Sequence, residues 1–305
     1  MKKTLIICIV VVLVCVGIYY FINSSSTKDD SIITGDQNVA TTTVTVNDTV
    51  KETLKSENKT EQVIGTSTEG RNITAYHYGT GSTELLFVSG IHGGYEWNTV
   101  LLAYNLMDYL KANPEIVPTS VKVTVIPVLN PDGLNKVVGT SSIFSIADVP
   151  KSEANTIVGR FNSNNVDLNR NFDCDWQTNG TWQNKTVSGG STVFSEAESL
   201  AIKNYIETQK IEAVVVWYSA AGGVYSSNCH AGILPETKTL TNIYSKASGY
   251  PANEEFNFYE TTGDMVNWLA KIKIPAISVL LTNHTDVEWN KNLAGVKAIL
   301  KYYTK

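Results

Sequence analysis

The sequence contains few of the residues that form disulfides and metal sites: 305 residues include only four cysteines and four histidines. Cys8 and Cys15 lie in an apolar N-terminal segment, which leaves Cys174 and Cys229 for the rest of the chain. Four cysteines are too few for a disulfide-built scaffold. The apolar content of 43% is ordinary for a globular protein, so we expect a sizeable hydrophobic core.

Charge of either sign is also limited. The net charge of −5 is mild for this length, and it gives no support for a nucleic-acid partner. The length allows one large domain or two small ones. We find no internal repeat that would indicate an array.

One long apolar run is present, from Leu5 to Ile22, and it follows two lysines. About 18 apolar residues can span a bilayer, and preceding lysines favour an N-terminus on the inside. No small-x-small cleavage site follows, so residues 1–22 are interpreted as an uncleaved membrane anchor rather than a signal peptide. The domain would then lie at the cell surface, outside the cytoplasm, or be secreted if the run is cleaved. Residues 23–60 are polar and read as a flexible linker.

Residues 61–305 alternate between strand and helix patterns. Apolar runs at 85–88, 121–128, 213–217 and 276–281 indicate buried strands, and residues 63–76 indicate a hairpin. Helices are expected after Glu96 to about Lys111, from Ser195 to about Gln209, and from Val287 to Tyr303. Asn130–Gly133 is expected to be a turn, and residues 134–165 irregular. These patterns predict an α/β fold with a mixed, mostly parallel sheet and helices on both faces.

A glycine-rich stretch, residues 90–97, joins the strand that ends at Val88 to the following helix. It contains His92 and Glu96 where ligands bind in open α/β sheets, beyond the carboxyl ends of the strands. An imidazole and a carboxylate are common zinc ligands, whereas the alternative is a glycine loop with an incidental histidine.

Several motifs in order resemble the zinc carboxypeptidases of the M14 family, over residues 61–305. They are Ile64-Gly65 with Glu69-Gly70-Arg71, His92 with Glu96-Trp97, Asn130–Gly133, Asp167–Phe172, and Tyr259 with Gly263 and Asn267-Trp268. The resemblance implies one zinc ion and a peptide substrate with a free C-terminal carboxylate.

The resemblance also implies roles for individual residues. His92 and Glu96 would bind the metal, and Asp167 would hold the second ring nitrogen of His92. Asn169 and Arg170 would bind the terminal carboxylate, because a guanidinium offers two parallel hydrogen bonds. The other two assignments are Arg160, as the catalytic group that stabilises the oxyanion, and Tyr259, which would close over the substrate.

The terminal side chain of the substrate is left open. Val266 matches the floor of the family's side-chain pocket and suggests an apolar residue. Asp264, in the same loop, would favour a cationic one.

Three departures from the family pattern bear on catalysis. Three residues instead of two separate His92 from Glu96, which would turn the helix start by about 100° unless the glycines compensate. The third metal ligand of the family is a histidine, but Tyr218 stands at that position here. His230 and His284 are the candidates to replace it as the ligand. The expected general base, a glutamate, is a leucine at position 280 or 281, and losing that base costs about a hundredfold to ten-thousandfold.

Cys174 and Cys229 flank the proposed cleft, and outside the cell we expect them to form a disulfide. The leading hypothesis is a membrane-anchored zinc carboxypeptidase, acting on a peptide such as one from the cell wall. The alternative is a peptide-binding protein on the same fold with impaired catalysis. A third, weaker reading is an amide or ester deacylase that uses the same metal.

Overall fold

The computed structural model describes residues 60–304. An eight-stranded sheet forms its centre, with a strand order of β1-β2-β4-β3-β7-β10-β8-β9. The strands are β1 Glu61–Thr66, β2 Asn72–Tyr78, β3 Thr83–Val88, β4 Val121–Ile126, β7 Ile211–Ser219, β8 Gly223–Ser226, β9 Ala252–Asn253 and β10 Ala276–Leu281. A separate hairpin consists of β5 Asn179–Trp182 and β6 Lys185–Ser188.

The centre of the sheet is parallel. Strands β4, β3, β7 and β10 pair in parallel, whereas β2 on one side and β8 on the other pair with them in antiparallel orientation. The predicted mixed, mostly parallel α/β sheet is therefore confirmed.

Helices cover both faces of the sheet. The α-helices are α1 Trp97–Ala112, α2 Pro131–Val138, α3 Ala197–Thr208, α4 Pro235–Ser248, α5 Met265–Lys271 and α6 Trp289–Tyr302. Apolar side chains of α3 and α5 pack on one face, and those of α1, α4 and α6 pack on the other. Successive strand residues point to opposite faces, so each buried strand contributes to both cores.

The prediction of a turn at Asn130–Gly133 was wrong. These residues begin α2, which extends to Val138 into the region that was expected to be irregular. The side chain of Asn130 accepts a hydrogen bond from the Gly133 backbone N–H, and Pro131 occupies the first helical position. Asparagine and proline favour turns and helix starts for the same conformational reasons, so the local sequence did not separate the two.

A second difference concerns the start of the helix that was expected from Ser195. Helix α3 starts at Ala197 with Glu196 as its N-cap, and no side chain caps it. Ser195 instead donates a hydrogen bond to the Glu196 carboxylate. The boundaries of the other predicted strands and helices differ from expectation by at most two residues, whereas β5, β6, β8, β9, α4 and α5 were not predicted.

The predicted membrane span, residues 5–22, and almost all of the predicted linker lie outside the described residues. Within residues 60–304, no helix combines the length and apolar character needed to cross a bilayer.

The expected disulfide between Cys174 and Cys229 is present, and it links positions 55 residues apart. A cross-link that closes a loop of this size stabilises a protein by restricting its unfolded chain. We expect the double variant Cys174→Ala, Cys229→Ala to lose about 2–4 kcal/mol of unfolding free energy, measured by urea denaturation. Reduced wild type is the control and should resemble the variant; an unchanged midpoint in the variant would contradict the expectation.

Candidate functional site

His92 and Glu96 face each other despite the extra residue between them. A short 3-10 helix, Gly93–Glu96, follows His92, and the His92 Nδ1 atom lies 2.8 Å from Oε1 of Glu96. Gly93 has a φ of +45°, and a Cβ atom there would lie 2.7 Å from backbone atoms of three other residues. The tighter 3-10 turn and the left-handed glycine therefore compensate for the altered spacing.

Asp167 lies on the other side of the His92 ring. Its Oδ1 atom is 3.3 Å from His92 Nε2, and its Oδ2 atom accepts hydrogen bonds from Arg160 Nε and Nη2, at 2.9 and 2.7 Å. Burial alone would raise the pKa of Asp167, but the neighbouring Arg160 and Arg170 charges hold it well below its usual value. Asp167 is thus a buried carboxylate that accepts hydrogen bonds from the Arg160 guanidinium and lies beside the imidazole, whose Nε2 atom has no hydrogen-bond partner.

Tyr218 stands where the third metal ligand was expected, at the carboxyl end of β7. Its ring centroid is 5.8 Å from that of His92, and its hydroxyl donates a hydrogen bond to Asn169 Oδ1 at 3.3 Å. Burial raises the pKa of Tyr218 well above its usual value. The Tyr218 hydroxyl is therefore directed to Asn169, and a phenol is a poor replacement for an imidazole ligand.

The substitute histidines occupy different places. The His230 side chain is 75% exposed and is bonded to Asp175, and it is not among the residues of the pocket described below. His284 does line that pocket, its ring centroid lies 4.4 Å from that of Tyr95, and its buried Nδ1 atom has no hydrogen-bond partner.

The general-base position is occupied by Leu280. Leu280 lines the pocket and belongs to the core beneath α3 and α5, whereas Leu281 packs in the core on the opposite face. A leucine cannot transfer a proton.

These residues do not complete a catalytic zinc site. Such a site needs three protein ligands and an open position for water, and here two side chains of suitable chemistry meet a neutral phenol. Among residues 60–304, the one cluster with three closely spaced potential donors is Cys174, Cys229 and His230, whose two cysteines form the disulfide. Two buried atoms, Nε2 of His92 and Oε2 of Glu96, have no hydrogen-bond partner, and they are the atoms that would hold a cation here.

Arg170 is the best-placed group for a carboxylate ligand. It lines the pocket, and its Nε and Nη2 atoms donate to the Thr181 carbonyl while Nη1 donates to the Asn169 carbonyl. A guanidinium has five N–H groups, so one N–H on each terminal nitrogen is left over. We call these two N–H groups the Arg170 fork, because a pair of donors on neighbouring nitrogens suits a carboxylate.

Asn169 lies next to this fork, and one of its two side-chain N–H groups is already engaged. Its side-chain nitrogen donates to Asp264, and its side-chain oxygen accepts from Tyr218 and from the Met265 backbone. The structure therefore places Asn169 beside the carboxylate position but engages its amide in holding α5.

Aromatic rings surround both arginines. The Arg160 guanidinium lies 4.4 Å from the ring centre of Trp182, and the Arg170 guanidinium lies 5.9 Å from that of Tyr259. Burial raises the pKa of Tyr259, which keeps its hydroxyl neutral. Such rings shield the positive charges from water and strengthen their pairing with an anion.

A pocket of about 560 Å³ contains these groups. It opens at the carboxyl ends of β3, β7 and β10, as expected for a ligand site in this type of sheet. Sequence reasoning did not identify Trp182, Asn228 or Ser278 among its lining residues. Trp182 belongs to the β5–β6 hairpin. Its position as a large aromatic residue within a short polar segment was the sequence signal that could have identified it.

This fold and this site define a member of a peptidase family. The model of the zinc carboxypeptidase family, peptidase M14, matches residues 48–285, and the chain belongs to that family. M14 carboxypeptidases are zinc-dependent enzymes that act on peptides.

Two curated relatives show the range of the family. The chain is 29% identical to mouse carboxypeptidase M over 192 residues, which is 59% of this chain and 35% of that protein. It is 23% identical to gamma-D-glutamyl-L-diamino acid endopeptidase 1 of Lysinibacillus sphaericus over 228 residues, 64% of this chain and 54% of the relative. The chain thus spans between about a third and a half of the length of these two relatives.

Solved structures agree on the fold. The murein-tripeptide amidase from Escherichia coli O157 superimposes with a TM-score of 0.55 at 18% identity, covering 79% of this chain and 91% of that one. Bovine thrombin-activatable fibrinolysis inhibitor gives a TM-score of 0.62 at 16% identity, covering 79% and 89%. At these identities the likeness concerns the fold alone.

Proposed function

We propose that this domain binds the free C-terminal end of a peptide and does not hydrolyse it through zinc. The observation that carries the proposal is the Arg170 fork, which has two unused N–H groups inside a pocket of peptide size. Tyr218 and Leu280 argue against turnover, because a phenol that donates to Asn169 and an alkyl side chain stand where the family has a metal ligand and a base.

The ligand class follows from the site and the family. A peptide from murein is a reasonable choice, since one structural neighbour is named a murein-tripeptide amidase. The N-terminal apolar run and the disulfide support a location outside the cytoplasm, at the membrane surface. The anchor and the cell-wall ligand are parts of this proposal.

The test compares one peptide with a free and with an amidated C-terminus, using the purified full-length chain. We expect the free-ended peptide to bind at least about tenfold more tightly, since charge-assisted hydrogen bonds contribute about 1.5–3 kcal/mol. Arg170→Lys should remove most of this preference, because an ammonium keeps the charge but lacks the fork. Isothermal titration calorimetry gives both affinities.

Lys246→Gln is the control for that variant, because Lys246 is an exposed cation at the end of α4. Thermal melting of each variant establishes that it is folded. Equal binding of the free and amidated peptides by the wild type would refute the proposed carboxylate site.

A zinc carboxypeptidase is the second candidate, and two observations favour it. Glu96 has a buried oxygen without a partner, and His284 presents an unpaired nitrogen in the same pocket. Zinc bound at one equivalent, together with cleavage of only the free-ended peptide, would establish this alternative and exclude the binding-only function.

A further inference from the structure

The Cys174–Cys229 bridge lies beside an ion pair at the surface of the domain. Each cysteine is followed by one member of that pair, and His230 Nε2 is 2.7 Å from Asp175 Oδ1. Two dipeptides, Cys174-Asp175 and Cys229-His230, therefore face each other. We call these four residues the bridge cluster. They lie outside the set of residues that line the pocket.

The donor atoms of the bridge cluster are close to the spacing of a metal site. The two sulfur atoms and a ring nitrogen of His230 all lie within 4.8 Å of one another. Around one tetrahedral zinc ion, two thiolate sulfurs and an imidazole nitrogen are about 3.5–3.8 Å apart, given bond lengths of about 2.3 and 2.0 Å. The three atoms therefore need only small side-chain rotations to reach that separation, once the sulfurs are no longer bonded to each other.

Asp175 meets a second requirement of such a site. A histidine that binds a metal usually has its ring held by a carboxylate, which fixes the orientation of the imidazole. The Asp175 carboxylate holds the His230 ring, and its Oδ2 atom lies 3.7 Å from Cys174 Sγ. The His230 side chain is 75% exposed, so a cation from solvent has direct access to the ring.

The backbone is unusual in the same way at both residues that follow the cysteines. Asp175 has a φ of +52° and His230 a φ of +60°, which places both in the left-handed region. Residues other than glycine seldom adopt this conformation, and where they do, the surrounding structure holds them, often at functional sites. The pairing of Asp175 with His230 is thus a feature that the fold maintains at a conformational cost.

Contacts other than the bridge hold the two cysteines near each other. The Cys174 carbonyl accepts a hydrogen bond from the Gly263 N–H at 2.7 Å, and the Asn228 N–H donates to the Asn267 side chain at 3.0 Å. Gly263 lies just before α5 and Asn267 lies in its first turn, so the start of this helix positions both segments. The two thiols are therefore expected to stay side by side after the bridge is reduced.

We propose that Cys174, Cys229 and His230 bind one zinc ion when the bridge is reduced, with Asp175 orienting the imidazole. Two thiolates, one imidazole and a water complete a four-coordinate site. The two segments then have alternative cross-links, a disulfide under oxidising conditions and a metal ion in the presence of a dithiol. This site is separate from the candidate metal ligands in the pocket, and it does not depend on the proposed peptide binding.

A dithiol reductant opens the bridge in two exchange steps. Cys229 is half-buried whereas Cys174 is only 4% exposed, so a thiolate of the reductant attacks Cys229 Sγ and Cys174 leaves as a thiolate. The second thiolate of the reductant then attacks the reductant's own sulfur in the mixed disulfide and releases Cys229. Two electrons pass to the bridge, and the reductant becomes a cyclic disulfide. Zinc binding then displaces the protons that the two thiols hold.

The experiment uses the full-length chain with Cys8→Ser and Cys15→Ser, so that the thiols formed by reduction are those of Cys174 and Cys229. The chain is reduced with dithiothreitol, which is then removed under argon, and zinc binding is measured by equilibrium dialysis and atomic absorption. We expect the reduced chain to bind one equivalent more than the oxidised chain. Its zinc affinity should be at least about a hundredfold higher, because two thiolate ligands are added. Cobalt(II), added in place of zinc, should give a sulfur-to-metal charge-transfer band that the oxidised chain lacks.

Two variants assign the zinc to the bridge cluster. Asp175→Asn should lower the zinc affinity of the reduced chain about tenfold to a hundredfold, the usual effect of changing the partner of a metal-ligating histidine. His230→Gln should lower it further, because it removes a ligand. His92→Gln, at the family's metal position, is the control and should leave the additional equivalent in place. Thermal melting establishes that each variant is folded.

Three results would overturn the proposal. The first is an equal zinc content in the reduced and oxidised chains. The second is an unchanged zinc affinity in His230→Gln, which would show that the imidazole is not a ligand. The third concerns the melting temperature of the reduced chain, which zinc should raise because it binds the folded state. An unchanged or lower melting temperature would show that zinc binds the thiols of the unfolded chain at least as well.

Discussion

Converting Tyr218 to histidine and Leu280 to glutamate together is expected to give this domain stoichiometric zinc and measurable carboxypeptidase activity. Tyr218 ends β7 beside His92, so an imidazole there would supply the third ligand. Leu280 already lines the pocket, so a carboxylate at that position would supply the missing base. We expect zinc affinity to rise more than about a hundredfold, since catalytic zinc sites use three protein ligands.

Further variants separate the effect on zinc binding from the effect on the rate of cleavage. Tyr218→His alone should bind zinc but turn over slowly, because a general base contributes about a hundredfold to ten-thousandfold. The double variant Tyr218→His, Leu280→Gln is the control, because glutamine has the shape of glutamate but cannot act as a base. It should bind zinc without gaining the higher cleavage rate. Zinc content is measured by atomic absorption, and cleavage by release of the terminal amino acid. Equal zinc affinity in wild type and Tyr218→His would show that Tyr218 does not limit the site.

Asp167→Asn is expected to cost about 3–5 kcal/mol of unfolding free energy, because it leaves the buried Arg160 guanidinium without its counter-charge. Both side chains are almost completely inaccessible to water. Urea denaturation at neutral pH measures the loss. Asp173→Asn is the matched control: Asp173 pairs with Lys271 at the surface, where an ion pair contributes at most about 1 kcal/mol.

The same carboxylate predicts a pH dependence of stability. Its pKa is lower in the folded protein than in the unfolded chain, so folding favours the ionised form. The stabilisation is fully present above the unfolded value of about 3.9 and decreases as pH falls below it. The urea midpoint of the wild type should therefore decrease when the pH is lowered below about 4. The urea midpoint of Asp167→Asn should decrease less over the same pH range. An identical decline in both proteins would contradict this explanation.

Much of the pocket could be predicted because its residues come from local motifs at strand ends. His92 and Glu96 follow β3 in a glycine-rich loop, and Arg170 belongs to a distinctive Asn-Arg-Asn-Phe segment. The sheet then brings these loops to one edge, as parallel strands require. Leu280 could be distinguished from Leu281 only once the structure showed which side chains of β10 line the pocket.

Other features depend on contacts between distant segments. Asp167 was expected to hold the second ring nitrogen of His92, yet that nitrogen lies 3.3 Å away without a hydrogen bond. The side-chain hydrogen bonds that Asp167 accepts come from Arg160, a pairing that arises only from the folded arrangement. His230 and His284 both follow strands in loops, and the sequence pattern does not distinguish the exposed one from the one in the pocket. Asn228 lines the pocket, and its backbone N–H donates to the Asn267 side chain, a contact that no local pattern reveals.

The Cys174–Cys229 bridge has a bearing on recognition as well as on stability. Cys229 is the immediate neighbour of Asn228, so the covalent link restrains the backbone that carries the unpaired amide oxygen. A chain that folds under thiol-rich conditions lacks this restraint on the wall of the pocket that contains Asn228. Oxidative folding is therefore expected to influence the shape of the pocket as well as the stability of the domain.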